Sequence, residues 1–286
     1  MLKILIFGFA ALAVIYGAIL AGDLIKHREE VKRERGNPIA ICAATAFIQF
    51  LATFGISDFN VSIPIYRGAK WVDDGRLPGT LFTATVIPGA VISMLYISGT
   101  AVETATLLSC LLAQSLGVVT GVKIVSGMKG RSIKKGMAIA LLASVVVIVI
   151  RNFSAGAEGG SLTGFGWGTL GWLIPVFFLF GAVSTLGFGV KALSMALLLT
   201  LGLSAQCVLP VVLSSCGFGA CCGAVQFVRK GRYQRKIAML SSVAGIVGVV
   251  IGVTLVKGLP TDVLQWIMVC VMLYTAVTML RPEKEK

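Results

Sequence analysis

Residues 186–191 read LGFGVK and interrupt an apolar run that extends from residue 170 to residue 201. A second long apolar run, residues 39–66, is interrupted by FGISD at residues 54–58, and Pro64 follows the interruption. A helix needs about 20 residues to cross about 30 Å of hydrocarbon, so each half of either run suffices for a partial crossing only. The glycines allow tight turns of the backbone. The pattern predicts two broken helices.

The rest of the chain is equally apolar. Of its 286 residues 57% are hydrophobic and 13% are charged, and the mean hydropathy is +0.93. Soluble domains carry about 25% charged residues, so this composition excludes a water-soluble fold. Further apolar runs predict seven spanning helices, at residues 4–22, 79–98, 103–126, 132–151, 205–227, 236–256 and 261–280.

The distribution of Lys and Arg indicates how the broken helices run. If each is a hairpin that returns to the side it came from, then residues 23–36, 66–78, 129–135, 228–236 and the tail from Arg281 share one side. These segments hold 20 of the 25 Lys and Arg residues. Cytoplasmic loops are enriched in these residues, which favours this arrangement in the plasma membrane, with the N-terminus outside and the C-terminus in the cytoplasm. Because topology accounts for the net charge of +13, no nucleic-acid partner is expected.

An internal repeat accompanies this pattern. Residues 116–128 (LGVVTGVKIVSGM) and 247–259 (VGVVIGVTLVKGL) are identical at seven of thirteen positions. A broken helix followed by three helices occurs twice, and the matching loops differ in charge. The prediction is an all-α polytopic membrane protein with two inverted repeats, each a re-entrant broken-helix hairpin plus three transmembrane helices, preceded by one extra N-terminal helix. The predicted units are residues 1–38 (N-terminal helix and basic cytoplasmic loop), 39–151 (repeat 1), 152–169 (Gly-rich extracytoplasmic linker), 170–281 (repeat 2) and 282–286 (cytoplasmic tail).

Two pairs of glycines in the repeat have GxxxG spacing, which predicts close helix packing. They are Gly117 and Gly121 in the first half, and Gly248 and Gly252 in the second.

The second half resembles the TauE/SafE family of membrane permeases in four stretches: GFGVKAL from Gly187, LTLGLS from Leu199, FVRKGRY from Phe227 and GVVIG from Gly248. The resemblance covers about residues 39–281. It implies two repeats that each begin with a glycine-rich broken helix, and the export of sulfite, sulfoacetate and related sulfur-containing anions. The chain departs from the family pattern in GISDFN at residues 55–60 and after Gly189, which leaves room for a different substrate.

The two breaks are the candidate substrate site, and we expect them to approach each other in the middle of the membrane. Helix N-termini exposed there would present N–H groups and the positive end of the helix dipole to an anion. Lys191 would attract the anion, and Asp58 could take up a proton and couple transport to the proton gradient. A mutual structural pairing of the two residues, or snorkelling of their side chains toward water, is the alternative. The candidate substrate-binding residues are Gly55, Ser57, Asp58, Asn60, Gly187, Gly189, Lys191 and Ser194.

These features favour a secondary transporter of a small anion, such as sulfite or an organosulfonate, that works by alternating access. No catalytic residue, metal or cofactor is expected, since the chain has no HExxH, CxxC or P-loop motif and only one histidine, His27. A non-transporting membrane assembly or accessory protein is the alternative. The expected partners are a small anionic substrate, the lipid bilayer and a coupling proton or other ion. The oligomeric state stays open.

Overall fold

The computed structural model describes residues 2–97, 102–153 and 160–255, together with Leu273 and Val277. Within these ranges the regular secondary structure is α-helix, apart from an isolated β-bridge between Leu162 and Leu203. Its helices, in chain order, are α1 (Leu2–Lys26), α2 (Arg28–Arg33), α3 (Pro38–Ala52), α4 (Asp58–Gly68), α5 (Leu77–Ile97), α6 (Thr104–Val125), α7 (Gly130–Phe153), α8 (Trp167–Ser184), α9 (Val190–Thr200), α10 (Ala205–Arg229) and α11 (Arg235–Leu255).

The described part contains six helices that are long and apolar enough to cross a membrane. They are Ile6–Lys26, Leu77–Ile97, Thr104–Val125, Trp167–Ser184, Gln206–Arg229 and Arg235–Leu255. A helix satisfies all its backbone hydrogen bonds internally, which a chain in lipid requires. The protein is therefore a polytopic α-helical membrane protein, as the sequence predicts. The predicted helix at 132–151 is present as α7. Of the predicted helix at 261–280 only Leu273 and Val277 are described, both helical; residues 154–159 of the linker and the tail at 282–286 lie outside the described residues.

The first broken helix consists of α3 and α4. Asn37 is the N-cap residue of α3: its side chain accepts a hydrogen bond at 2.9 Å from a backbone N–H of the first turn. The chain leaves α3 and turns at Gly55, whose φ of 78° suits glycine, before α4 starts at Asp58. Arg35 precedes α3 and Asp73 follows α4, yet their side chains are 3.8 Å apart. The two ends of the segment meet, so it is a hairpin.

The second broken helix, α8 and α9, has the same form. Its turn contains Gly187 with a φ of 82°. The ends are joined through Leu162, whose N–H donates to the carbonyl of Gly202 at 3.2 Å and whose carbonyl accepts from the N–H of Ser204 at 2.9 Å. α9 is short, with 11 residues, as expected. The expectation of a partial crossing is wrong for α8, which has 18 residues and a length of about 27 Å.

The connections between helices gather in two groups at the two ends of α6. At one end, the N–H of Gln234 donates to the hydroxyl of Thr80 at 2.9 Å, and the guanidinium of Arg232 donates to the carbonyl of Met128 at 3.4 Å. At the other end, the N–H of Phe165 donates to the hydroxyl of Thr106 at 2.8 Å. The 22 residues of α6 separate these groups by about 33 Å. The first group contains the connections that are rich in Lys and Arg, and we call it the basic group of loops. The first hairpin opens toward the basic group of loops, and the second hairpin opens toward the connections at the opposite end of α6.

Within the basic group of loops, Glu34 caps the N-terminus of α11. Its carboxylate accepts hydrogen bonds from the backbone N–H groups of Arg235 at 3.2 Å and Lys236 at 2.6 Å. Such a carboxylate satisfies unpaired donors at a helix N-terminus. Removal from water nevertheless raises the pKa of Glu34 above its ordinary value, since this effect exceeds that of the two hydrogen bonds.

Glycines let the helices of the two halves approach closely. A Cβ atom on Gly117 of α6 would overlap the carbonyl of Phe178 in α8. A Cβ atom on Gly248 of α11 would likewise overlap the carbonyl of Ala46 in α3. The predicted packing role of these two glycines is confirmed.

Candidate functional site

The turns of the two hairpins touch each other. A Cβ atom on Gly55 would lie 2.9 Å from the sulfur of Met195 in α9, and one on Gly187 would lie 2.9 Å from a methyl carbon of Ile63 in α4. A Cβ atom on Gly189 would overlap the amide group of Asn60, which is buried. The two breaks therefore approach each other, and their position in the middle of the membrane stays a prediction.

At this meeting point Asp58 and Lys191 form a buried ion pair. The Nζ atom of Lys191 lies 2.5 Å from Oδ1 of Asp58, and the exposed fractions of the two side chains are 9% and 3%. The second carboxylate oxygen, Oδ2, accepts a hydrogen bond from the hydroxyl of Thr85 in α5 at 2.8 Å. Both oxygens of the carboxylate thus have partners, which a buried charge requires.

Helix geometry explains why the acid and the base belong together. Asp58 is the first residue of α4, where the positive end of the helix dipole favours a carboxylate. Lys191 is the second residue of α9, where the same end of the dipole disfavours a cation. The position of Lys191 is therefore unfavourable by itself, and the carboxylate from the other hairpin compensates for it.

The ion pair forms part of the wall of a cavity between the two halves. The cavity contains about 550 Å³ of space between atoms, including the part open to the outside, and residues from α3, α4, α5, α6, α8, α9 and α10 line it. Of the eight candidate residues predicted from the sequence, Ser57, Asp58 and Lys191 line the cavity. The first turns of α4 and α9 therefore border the cavity, and anion binding at these two helix N-termini stays a prediction.

The other five candidate residues do not line the cavity. Gly55, Gly187 and Gly189 allow the hairpin turns to pack, as the contacts above describe. Asn60 and Ser194 are buried, and the side-chain oxygen of each has no hydrogen-bond partner among the described residues. The three glycines therefore act on the site by placing the hairpins.

Polar residues that the sequence analysis did not single out also line the cavity, among them Gln49, Thr85, Gln114 and Cys216. The amide nitrogen of Gln114 donates to the sulfur of Cys216 at 3.2 Å, and its Oε1 atom is buried without a partner among the described residues. A glutamine inside an apolar span is a signal in itself, since polar groups in the membrane are usually functional. The sequence could have indicated Gln49 and Gln114 on that ground, whereas threonine and cysteine are common in apolar helices.

A match to a known protein family covers the second half of the chain. No curated protein and no solved structure matches the chain significantly. A family model described as "Sulfite exporter TauE/SafE" matches residues 173–286, a stretch that includes α9 and Lys191. The resemblance predicted from the sequence is therefore confirmed, and the second half of the chain is similar to membrane transporters of the sulfite exporter TauE/SafE family.

Proposed function

We propose that the chain is a secondary transporter that moves a small sulfur-containing anion, such as sulfite or an organosulfonate, across the plasma membrane by alternating access. The observation that carries the proposal is the ion pair of Asp58 and Lys191, buried where two broken helices meet and bordering a cavity. Charged residues at such positions usually serve a transported ion or a proton. The match of residues 173–286 to a family of exporters supports the same function.

Two inverted repeats form the architecture of this transporter. The hairpins open toward opposite ends of the helical body, and their turns make corresponding contacts. Gly55 contacts Met195, and Gly187 contacts Ile63. Gly187 lies 132 positions after Gly55, and Met195 lies 132 positions after Ile63, so the two contacts correspond to each other. This exchange supports a pseudo-two-fold axis through the site. Rocking of one half against the other would then open the cavity to each side in turn.

Lys191 is the group that binds the anion. Its ammonium donates hydrogen bonds, and the N–H groups in the first turns of α4 and α9 add positive potential without a second cation. The carboxylate of Asp58 occupies Lys191 while the site is empty, so it competes with the substrate. A proton on Asp58 removes this competition and links anion binding to the proton gradient.

The basic group of loops is cytoplasmic in this proposal. It contains the loops at 23–36, 66–78, 129–135 and 228–236, which hold most of the Lys and Arg residues. The N-terminus of α1 then lies outside.

The test is flux in proteoliposomes that contain the purified full chain. The panel consists of sulfite, thiosulfate, methanesulfonate and acetate, each as a labelled anion. We expect saturable uptake of at least one sulfur oxyanion, abolished by Lys191→Met and retained by Lys123→Met, which removes an exposed lysine from the end of α6. Folded wild-type protein that moves none of these anions would overturn the proposal in favour of an accessory role.

A further inference from the structure

The cavity has an equal number of positive and negative charges. Among the described residues that line it, Asp58 and Lys191 carry the charges, and the others are uncharged. Much of the wall is apolar, with Phe59, Phe82 and Phe188 among its members. The empty site is therefore electrically neutral in a poorly polarisable environment, where an unbalanced charge is unfavourable.

The groups that face Asp58 do not change this balance. Lys191 contributes the positive charge from α9, and Thr85 contributes a hydroxyl from α5. Cys216 of α10 and Tyr66 of α4 are close enough to interact electrostatically with Asp58, and both are uncharged near neutral pH. No other charge among these groups can compensate for an incoming anion.

An anion that binds Lys191 adds one negative charge beside a carboxylate that is already there. The loaded site would then have a net charge of −1, and two anions would compete for one ammonium. One proton on Asp58 restores neutrality and releases Lys191 to the substrate. A dianion such as sulfate would leave the loaded site negative even after this protonation.

We infer that the site binds a monoanion together with one proton, so that the transport cycle moves no net charge across the membrane. This inference rests on the proposed function and specifies the substrate class and the stoichiometry of the same site. The empty carrier holds Asp58 ionised beside Lys191, and the loaded carrier holds protonated Asp58, Lys191 and the monoanion. Both forms are neutral, so both can reorient without moving a charge through the membrane.

Gln114 adds a preference within the monoanions. Its Oε1 atom is a buried acceptor on the cavity wall, with no donor among the described residues. A hydrogen oxyanion such as hydrogensulfite carries one O–H that can donate to this atom. A fully deprotonated oxyanion presents acceptors only and leaves it unpaired.

The test separates the driving forces in proteoliposomes. Methanesulfonate is the first probe because it remains a monoanion at every working pH, and sulfite and sulfate are compared with it. At zero membrane potential, a gradient of about one pH unit should accumulate a co-transported monoanion about tenfold, since tenfold in proton concentration balances tenfold in anion. With equal pH on both sides, a potassium diffusion potential of about 59 mV, which would change the distribution of one net charge tenfold, should have no effect.

Variants of Asp58 provide the second arm. Asp58→Asn makes the empty carrier positive and the loaded carrier neutral, so accumulation should now follow the potential and lose its response to the pH gradient. Asp58→Glu retains the acid, so whatever uptake this variant supports should still respond to the pH gradient and not to the potential. Wild-type uptake that follows the potential and not the pH gradient would overturn the stoichiometry but not the proposed transport function. The wild-type measurement tests the stoichiometry even if Asp58→Asn fails to insert. Absence of uptake of every anion would instead overturn the proposed function.

Discussion

Replacement of Lys191 by methionine tests whether the ion pair contributes to the stability of the fold as well as to transport. Methionine matches the length of the lysine stem and packs well in irregular apolar sites. The change removes the ammonium that lies 2.5 Å from Asp58 and leaves the carboxylate with the hydroxyl of Thr85 as its remaining hydrogen-bond partner. Asp58 then becomes a buried charge without a counterion.

The expected loss follows from this burial. Breaking a buried ion pair by removing one partner destabilises a protein by about 3–5 kcal/mol, whereas replacing both partners is often nearly neutral. We place Lys191→Met near the lower end, at about 3 kcal/mol, because Thr85 still hydrogen-bonds the carboxylate. The double variant Asp58→Asn/Lys191→Met should recover about 2 kcal/mol or more of this loss.

The assay is equilibrium unfolding of the purified chain in mixed micelles, with stability read as the free energy of unfolding. Lys123→Met serves as the control and should change that free energy by no more than about 0.5 kcal/mol, because Lys123 is exposed. Additive effects in the double variant would refute the reasoning, since they would mean that the two side chains do not interact in the folded protein.

Three further predictions concern packing, pH and topology. Gly117→Ala should destabilise the chain by about 1–3 kcal/mol, because the added methyl group overlaps α8. In the control Gly171→Ala the added methyl group meets no atom within 4 Å, so thermal stability should stay unchanged. Equal melting temperatures of the two variants would contradict the close approach of α6 and α8. Because burial raises the pKa of Glu34, the folded state binds the proton more tightly than the unfolded state, so stability should fall as the pH rises from the ordinary carboxyl pKa through the raised value. Glu34→Gln should remove this pH dependence of the free energy of unfolding in a pH series of unfolding curves. An unchanged pH dependence would assign it to another group. Cysteines introduced by Gly130→Cys and Ser161→Cys should react with an impermeant reagent from the cytoplasmic and the outer side respectively, and reaction of both from one side would rule out the proposed topology.

Several features of the fold follow directly from the sequence. The apolar runs predict the helices, because each segment enters the membrane according to the hydrophobicity of its own residues. The two breaks were recognisable for the same local reason: Gly55 and Gly187 interrupt runs that are too long for one crossing, and both adopt a positive φ. Asp58 and Lys191 could be assigned to the site because they are charges at those breaks.

Features that depend on how the helices are rotated were not accessible in this way. The length of α8 was underestimated because the end of a helix inside an apolar run depends on where the chain turns against its neighbours. Asn60 and Ser194, adjacent to the breaks, were expected to bind substrate, yet neither lines the cavity. Gln114 and Cys216 line it from the middle of apolar helices far from either break.

The sequence by itself determined that the chain spans a membrane with two broken helices, since hydrophobicity, glycine content and loop charge act residue by residue. Only the tertiary structure decided which side chains share the cavity. A helix in lipid can present any of its faces to its neighbours at similar hydrophobic free energy, so close packing between distant segments selects the face. The contacts of Gly117 with α8 and of Gly248 with α3 fix these rotations, and they bring Lys191 to Asp58 across 133 positions of the chain.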